Sequence, residues 1–460
     1  MNEATKERAA GELATEIATA GEPGERAQTR ESLRHLERWR TYTLLSLVFG
    51  YTGYYFCRSD LSVATPLLLE SFKSQGIGKA ELGLIASAGI YAYAIGKVIN
   101  GVLVDFLGGR AIFILAMLGS IVCTFAFGLG AGLLFFVGTW SLNRYVQSSG
   151  WTALVKVASR WFGHESYGRV MGILSLSYLF GDAVARLVLG SIVQLGLVGW
   201  RGVFFFAAAI LTAVAIGNKY FLRGSPTELG HHEPKVSPTN LYGHRGEEVK
   251  PQSLVDLLRP MVGSLGFWLV CVMSIGLTLI RETFNMWTPT YLYEVGKLSK
   301  GGAAMMSTLF PLFGGVSVLL AGYLTDRISQ GRRGVIIVVG TAALALVLLV
   351  MSIVPRGSAV LPVLLVSLAA ILMIGPYSFL AGVIALDLGG KRGSASASGF
   401  IDGAGYFGAA GISGYAVGKI SDLYGWSAVF VMLAIVAGIT CLAAIVYAIR
   451  QERRRAQRPS

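Results

Sequence analysis

The chain has 460 residues, 53% hydrophobic and 14% charged, with 59 glycines, 13 prolines and a mean hydropathy of +0.60. A soluble globular chain carries roughly 25% charged residues, so this composition excludes a disordered or collagen-like chain and argues against a soluble enzyme. The net charge is 39 − 26 = +13, but the Lys and Arg sit mostly in short segments between apolar runs, at Arg327, Arg332, Arg333, Lys391, Arg392 and Arg453 to Arg455. That is the positive-inside pattern of an integral, multi-pass membrane protein, not a nucleic-acid-binding face.

Residues 1–40 are polar and of mixed charge, with a Gly-Glu-Pro-Gly turn and a basic patch from Arg34 to Arg40, and read as a flexible cytoplasmic N-terminal tail without a cleavable signal. A spanning helix needs about 20 mainly apolar residues. Twelve such runs follow, near 41–64, 80–104, 111–131, 133–157, 169–195, 201–222, 263–293, 302–326, 334–354, 358–386, 395–420 and 426–449. The third and fourth are fused by Gly128-Leu-Gly-Ala-Gly132. No strand pattern precedes that Gly-rich joint, so it predicts a tight hairpin rather than a dinucleotide loop.

The stretch 223–262 is polar, carries Pro226, Pro234, Pro238 and Pro251, and divides the spans into bundles at 41–222 and 263–450, with a short tail at 451–460. The even-numbered connections hold more basic residues (Arg110; Lys156, Arg160, Arg169; the linker; Arg327 to Arg333; Lys391, Arg392) than the odd ones (Lys73, Lys79, Arg201, Lys297, Lys300, Arg356). Both termini are therefore expected in the cytoplasm, with the protein in the plasma or inner membrane. Cys57, Cys123, Cys271 and Cys441 lie in apolar stretches without metal-ligand spacing, and the five His fall in polar segments. No metal, cofactor or catalytic residue is expected.

The two halves repeat one another. Gly101-Val-Leu-Val-Asp105 with Gly109-Arg110 recurs as Gly322-Tyr-Leu-Thr-Asp326 with Gly331-Arg332, an offset of 322 − 101 = 221. Gly199-Trp-Arg-Gly-Val-Phe recurs as Gly425-Trp-Ser-Ala-Val-Phe, and Phe180-Gly-Asp-Ala183 compares with Phe407-Gly-Ala-Ala410, at offsets of 226 and 227. Near-equal offsets in order indicate two pseudo-symmetric six-helix bundles, as in transporters that bind substrate at the midplane between repeats. In the repeated loop, glycine permits close helix packing, while Asp105 and Asp326 can accept from a neighbouring helix end or an arginine and help to gate one side. This loop resembles that of the major facilitator superfamily over roughly residues 40–450, which implies an all-α, twelve-helix transporter fold and no enzyme activity.

Ionisable groups at membrane depth are expensive and so are functional candidates: Arg58, Lys97, Arg144, Asp182, Arg186, Arg281, Glu282 and Asp402. Tyr51, Tyr54 and Tyr55 precede Arg58 by seven, four and three residues and share its helical face. Arg281 follows Arg58 by 281 − 58 = 223, within the repeat spacing, so the pseudo-symmetry brings both toward one central site. Two guanidiniums in one cavity need an anion between them, and their planar forks suit phosphate. Lys97 and Asn285 are counted with this substrate face. The alternatives are a gate salt bridge of Arg58 or Arg281 with Asp60 or Glu282, and a Lys97 that snorkels. Asp182 and Arg186, four apart, form either a self-neutralised pair or a protonation-sensitive site. Arg144 and Asp402 are further coupling or gating candidates, with Asp402 placed to pair with Arg144 or a loop cluster.

Gly50 to Arg58 with Leu61-Ser-Val-Ala-Thr-Pro66, the Arg281 helix with Trp287-Thr-Pro-Thr-Tyr291, Gln147-Ser-Ser-Gly-Trp151, and Gly393 to Phe400 leading to Tyr406 resemble the organophosphate:phosphate antiporter family. That resemblance implies exchange of glycerol phosphate or sugar phosphates for inorganic phosphate, with Arg58 and Arg281 on the phosphate, Lys97 beside them, and Tyr51 and Tyr55 in the site. A lipid-embedded monomer suffices for this fold; the alternative roles are a sugar-phosphate sensor, as some relatives within this family are, and a proton-coupled symporter of another organic anion, which Arg144, Asp182 and the missing His favour. The chain differs from some members in having no intramembrane His near Gly181, and in Ser59 and Trp151-Thr-Ala.

Overall fold

The computed structural model describes residues 23–72, 79–238, 240–298, 303, 306–327, 333–355, 357, 360–410 and 412–456. Lys73, Lys300, Arg332 and Arg356, used in the loop-charge argument, and the side chain of Asp326 lie outside the described residues. The described residues form helices and no strand. In chain order these are α1 (Pro23–Ser71), α2 (Lys79–Leu107), α3 (Gly109–Leu129), α4 (Leu133–Trp161), α5 (Tyr167–Gln194), α6 (Trp200–Phe221), a short α7 (Leu254–Val262), α8 (Leu265–Glu294), α9 (Leu309–Arg327), α10 (Arg333–Ser352), α11 (Val360–Phe379), α12 (Ala385–Ala410) and α13 (Val417–Ala456). Among the described residues eight stretches are long and apolar enough to cross a membrane and α9 is a shorter apolar helix; by their place in the two bundles all helices but α7 are taken as spans.

Helix α1 is longer than a bilayer requires. Its 49 residues extend roughly 74 Å at 1.5 Å per residue, against a hydrocarbon core of about 30 Å. Within residues 1–40, read from the sequence as a flexible tail that is partly helical, the described residues are helical from Pro23 and continuous with the first span. The Gly-rich joint is the tight hairpin the sequence predicts: α3 ends at Leu129 and α4 starts at Leu133.

Helices α11 and α12 run on through a π turn at Leu380–Ile384, so that the apolar stretch Val360–Ala410 has 51 residues. That length is about 77 Å and must hold two spans. The reversal lies at Gly390, whose φ of 57° favours a residue without a Cβ. A second π turn, Ile412–Ala416, leads into α13, which bends at Gly425.

The first six spans pack together through the pairs α2–α4, α3–α4, α1–α5 and α1–α6, and the last six through α10–α13, α9–α11 and α8–α12. The two sets meet where α2 crosses α12 and α5 crosses α9. Both crossings use the repeated motif. A Cβ on Gly101 would lie 2.8 Å from the Ala395 carbonyl oxygen, one on Gly399 would lie 2.2 Å from that of Lys97, and one on Gly322 would lie 2.7 Å from that of Gly168. These contacts sit toward the face that carries the linker, so the halves are closed on that side.

The linker is not a bare loop. It contains short turns at Pro226–Leu229 and Gly243–Glu247 besides α7, and it folds under the bend between α11 and α12, where the Leu241 amide donates to the Leu388 carbonyl (2.9 Å). Lys391 and Arg392, expected to face solvent, are buried there. Lys391 pairs with Glu247 at 2.8 Å and Glu233 at 3.4 Å, and Arg392 pairs with Glu248 and Asp256. The acidic linker neutralises the basic loop, and that neutralisation makes its burial affordable. Burial opposes the charge on Glu247, yet the Lys391 ammonium and the Val236 amide donate to its carboxylate and hold it below the ordinary range.

Candidate functional site

A cavity of about 50 Å³ lies midway along the spans and is lined from both sets of helices. Helix α1 contributes Tyr51, Tyr55 and Arg58, α2 contributes Tyr93 and Lys97, α8 contributes Arg281, and α12 contributes Asp402 and Tyr406. At roughly 10–15 Å³ per enclosed water, the space suits a guest of about four waters, the size of a phosphate group rather than a whole sugar phosphate.

The 3.6-residue period of α1 explains its share. Tyr51, Tyr55 and Arg58 fall on one face, and the Arg58 guanidinium lies over the Tyr55 ring at 5.1 Å and the Tyr93 ring at 4.6 Å. It also donates to the Tyr93 hydroxyl at 3.4 Å. Arg281 takes the equivalent place across the cavity, with its guanidinium 4.4 Å from the Tyr377 ring and donating to the Tyr406 hydroxyl at 3.0 Å. Tyr93 and Tyr406 meet edge to face at 5.3 Å. The two arginines are thus linked as Arg58–Tyr93–Tyr406–Arg281 across the boundary between halves.

The charges are unevenly matched. Arg281 pairs with Glu282 at 2.5 Å, and Lys97 pairs with Asp402 at 2.6 Å. Arg144 on α4 is buried, with its guanidinium also 4.7 Å from the Tyr93 ring and 3.5 Å from Gln147 Oε1. Four cations (Arg58, Lys97, Arg144, Arg281) face two carboxylates (Glu282, Asp402), so 4 − 2 = 2 positive charges remain. They rest on Arg58 and Arg144, for which no ion pair occurs within 4 Å among the described residues. Two positive charges behind a screen of tyrosines are the complement of a phosphate dianion.

Several expectations change. Tyr54 does not line the cavity: it points into the first bundle, where its hydroxyl donates to the Phe113 carbonyl at 2.6 Å, because it sits 100° around α1 from Tyr55. Asn285 is exposed and not part of the lining, being one turn beyond Arg281 toward the face away from the linker. Asp402 pairs with Lys97 rather than with Arg144 or a loop cluster, since α12 crosses α2 there. Lys97 does not snorkel, being 1% exposed. Of the gate pairs weighed, Arg281–Glu282 forms and Arg58–Asp60 does not.

Asp182 and Arg186 form the intrahelical pair at 2.9 Å, with side chains 40% and 51% exposed, and reach Ser59 (2.5 Å) and Ser62 (3.0 Å) on α1. These two and Asn285 are exposed and lie outside the cavity lining. On the closed side Asp105 is fully buried, accepting from Lys156 at 2.8 Å and from the amides of Ser396 at 2.7 Å and Ala395 at 3.4 Å at the start of the second limb of α12. Lys156 also donates to the Val249 carbonyl of the linker at 3.0 Å. On the same side of the second half, Arg333 at the start of α10 is buried against Asp387. Residue-by-residue reading missed Tyr178 and Tyr377, which complete the aromatic lining. Their signal, a single Tyr within an apolar run, is too weak to separate from ordinary packing.

Twelve spans around a polar, cationic cavity that is closed at one side define a multi-pass membrane transporter rather than an enzyme. The chain belongs to the Major Facilitator Superfamily, which it matches over residues 47–413. It is similar to a probable hexose phosphate transport protein of Chlamydia pneumoniae (26% identical over 419 residues, 88% of this chain and 90% of the relative). It is also similar to a glycerol-3-phosphate transporter of Bacillus subtilis (25% over 425 residues, 89% and 92%) and to the membrane sensor protein UhpC of Salmonella typhimurium (24% over 417 residues, 88% and 90%). These relatives are consistent with the organophosphate:phosphate antiporter family. Among solved structures, the transporter FucP in its outward conformation superposes with a TM-score of 0.69 at 15% identity, covering 88% of this chain and 98% of that one. That likeness concerns the fold alone.

Proposed function

We propose that this protein is a secondary transporter that exchanges an organic phosphate ester, of the glycerol phosphate or sugar phosphate class, for inorganic phosphate. The observation that carries the reading is the pair Arg58 and Arg281, from equivalent positions of the two repeats, lining one cavity with an excess of two positive charges. The phosphate occupies the cavity lined by Arg58, Lys97 and Arg281, and the rest of the ester extends toward the open side. The bundles 41–222 and 263–450 rock about this point, while the linker 223–262 and both termini stay in the cytoplasm, the side that the loop charges favour. An empty site keeps its excess positive charge, so net movement without an anion is slow and exchange is favoured.

The test is uptake of radiolabelled phosphate into proteoliposomes with and without internal phosphate. Uptake that requires internal phosphate, competes with phosphate esters and vanishes in Arg281→Ala supports exchange. Rapid phosphate efflux into anion-free buffer refutes it. The similarity to a membrane sensor favours one second reading, ligand sensing, which binding without uptake would establish.

A further inference from the structure

The linker helix α7 (Leu254–Val262) has two apolar faces, and the protein covers one of them. At about 100° per residue, Leu257 and Met261 fall together, and both are buried. A Cβ on Gly393 would lie 2.8 Å from Met261 Cε, so this face packs under the bend between α11 and α12. Leu254, Leu258, Val262 and Val255 fall within the next arc of about 100°. Leu254, Val255 and Val262 are each more than half exposed. The remaining arc is polar, with Arg259 beside Val255 and Asp256 beyond it.

The path of the chain identifies what meets the uncovered face. Only Gly263 and Ser264 separate α7 from the span α8, so Val262 and Leu265 are within roughly 10 Å of one another. The joint is closed by the Gly263 amide on the Arg259 carbonyl and the Ser264 amide on the Met261 carbonyl, both at 3.0 Å. Trp268, one turn into α8, donates from its indole to the Val262 carbonyl at 2.8 Å. On α8 the exposed side chains Leu265, Trp268, Val272 and Ile275 recur at helical spacing. That stripe is the surface a span presents to lipid, and an exposed tryptophan at its end marks headgroup level. The headgroup layer is about 5–8 Å deep on each side of the hydrocarbon core, so α7 leaves α8 within it. Through Val262 and Trp268 its uncovered face continues the lipid-facing stripe.

We propose that α7 is an interfacial helix, with Leu254, Val255 and Val262 inserted into the lipid leaflet on the linker side and the Arg259 stem lying along the same surface. The partner is the bilayer, met chiefly by apolar contact. The inserted helix also carries a counter-charge. Asp256 points away from the inserted arc and pairs with the fully buried Arg392, and with Arg245 at 3.0 Å. The helix start fixes it there: its amide donates to Ser253 Oγ at 3.1 Å, and its Oδ2 accepts from the Gln252 amide at 3.2 Å. Arg392 precedes the limb of α12 whose amides at Ala395 and Ser396 cap Asp105 of α2. Anchoring α7 in lipid therefore holds the carboxylate that neutralises Arg392, and closure of the halves on the linker side depends on the lipid surface. Neither part rests on the proposed function.

The test uses the full-length protein in lipid nanodiscs, spin-labelled singly at Val255→Cys, Val262→Cys, Gln252→Cys and the lipid-facing Val272→Cys. The background is Cys441→Ser, since Cys57, Cys123 and Cys271 are buried. Relaxation by oxygen, which concentrates in lipid, is compared with relaxation by a water-soluble nickel chelate. Labels at 255 and 262 are expected to favour oxygen, as at 272, and the label at 252 to favour nickel. A label at 255 that favours nickel overturns the insertion. Low collision with both reagents would show protein over this face, a second copy or another segment of this chain, and overturns it equally. The second arm reads closure as the rate at which Ser394→Cys, buried in the native protein, reacts with a membrane-impermeant maleimide. Val255→Asp, a charge on the inserted face, is expected to raise that rate several-fold, and Val255→Leu to leave it unchanged. Asp256→Asn should raise the rate while the label at 262 still favours oxygen. An unchanged rate in Val255→Asp, or an equal rise in Val255→Leu, overturns the coupling and leaves the insertion standing.

Discussion

Replacing Asp402 by Asn should tighten anion binding while destabilising the empty protein. Asp402 and Lys97 form a 2.6 Å pair between α12 and α2, with side chains 10% and 1% exposed. An anion entering the cavity must compete with Asp402 for the Lys97 ammonium. Asparagine keeps the volume and removes the competing charge. Without ligand, the ammonium is then buried and uncompensated, a loss of about 3–5 kcal/mol by the precedent of broken buried pairs. With phosphate bound, Lys97 makes a charge-assisted hydrogen bond of about 1.5–3 kcal/mol that Asp402 no longer offsets, equivalent to roughly 10- to 150-fold in Kd. Equilibrium binding of radiolabelled phosphate to the detergent-purified protein reads the affinity, and thermal unfolding with and without phosphate reads the stability. The apo transition should fall, and saturating phosphate should recover more of it than in the wild type. Exchange should slow, because release becomes harder. Lys97→Ala should do the opposite to affinity. Phosphate binding that is unchanged or weakened in Asp402→Asn would refute the view that Asp402 competes with the anion.

Two further outcomes follow from geometry elsewhere in the molecule. Gly399→Ala places a Cβ 2.2 Å from the Lys97 carbonyl oxygen, an overpacking of about 1–3 kcal/mol that should open the α2–α12 crossing and increase labelling of a cysteine introduced at the buried Ser394; unchanged labelling would show that this crossing does not govern closure. Outside the membrane, His231 of the linker lies 3.2 Å from His35 of α1, and burial, with the charges of His35 and Arg40, holds its imidazolium below the ordinary range. Its neutral form is the folded one, so the contact is fully present above about pH 6.5 and is lost as pH falls through the lowered value. Hydrogen exchange of residues 30–40 and 229–236 should rise at pH 5, and His231→Asn should remove that rise.

The local pattern was enough for the helices and the membrane. Twenty-residue apolar runs have no other stable form in lipid, because each backbone amide must be satisfied within its own segment. The repeat offsets were enough to pair Arg58 with Arg281, since homologous halves carry equivalent positions to one axis. The choice among partners was not legible. Tyr54 and Tyr55 are neighbours in sequence, yet one seals the bundle against Phe113 and the other lines the cavity. Asp60 and Asp402 look alike as lone acids in apolar runs, yet α2 brings Lys97 to one while no cation among the described residues pairs with the other. Lys391 and Arg392 read as solvent-facing loop charges until the linker's Glu247, Glu248 and Asp256 fold over them. Hydropathy and spacing report the environment of a segment, averaged along one helix. Which charges are neutralised depends on where two helices distant in sequence cross, and that was decided by the packing of the halves at Gly101, Gly322 and Gly399.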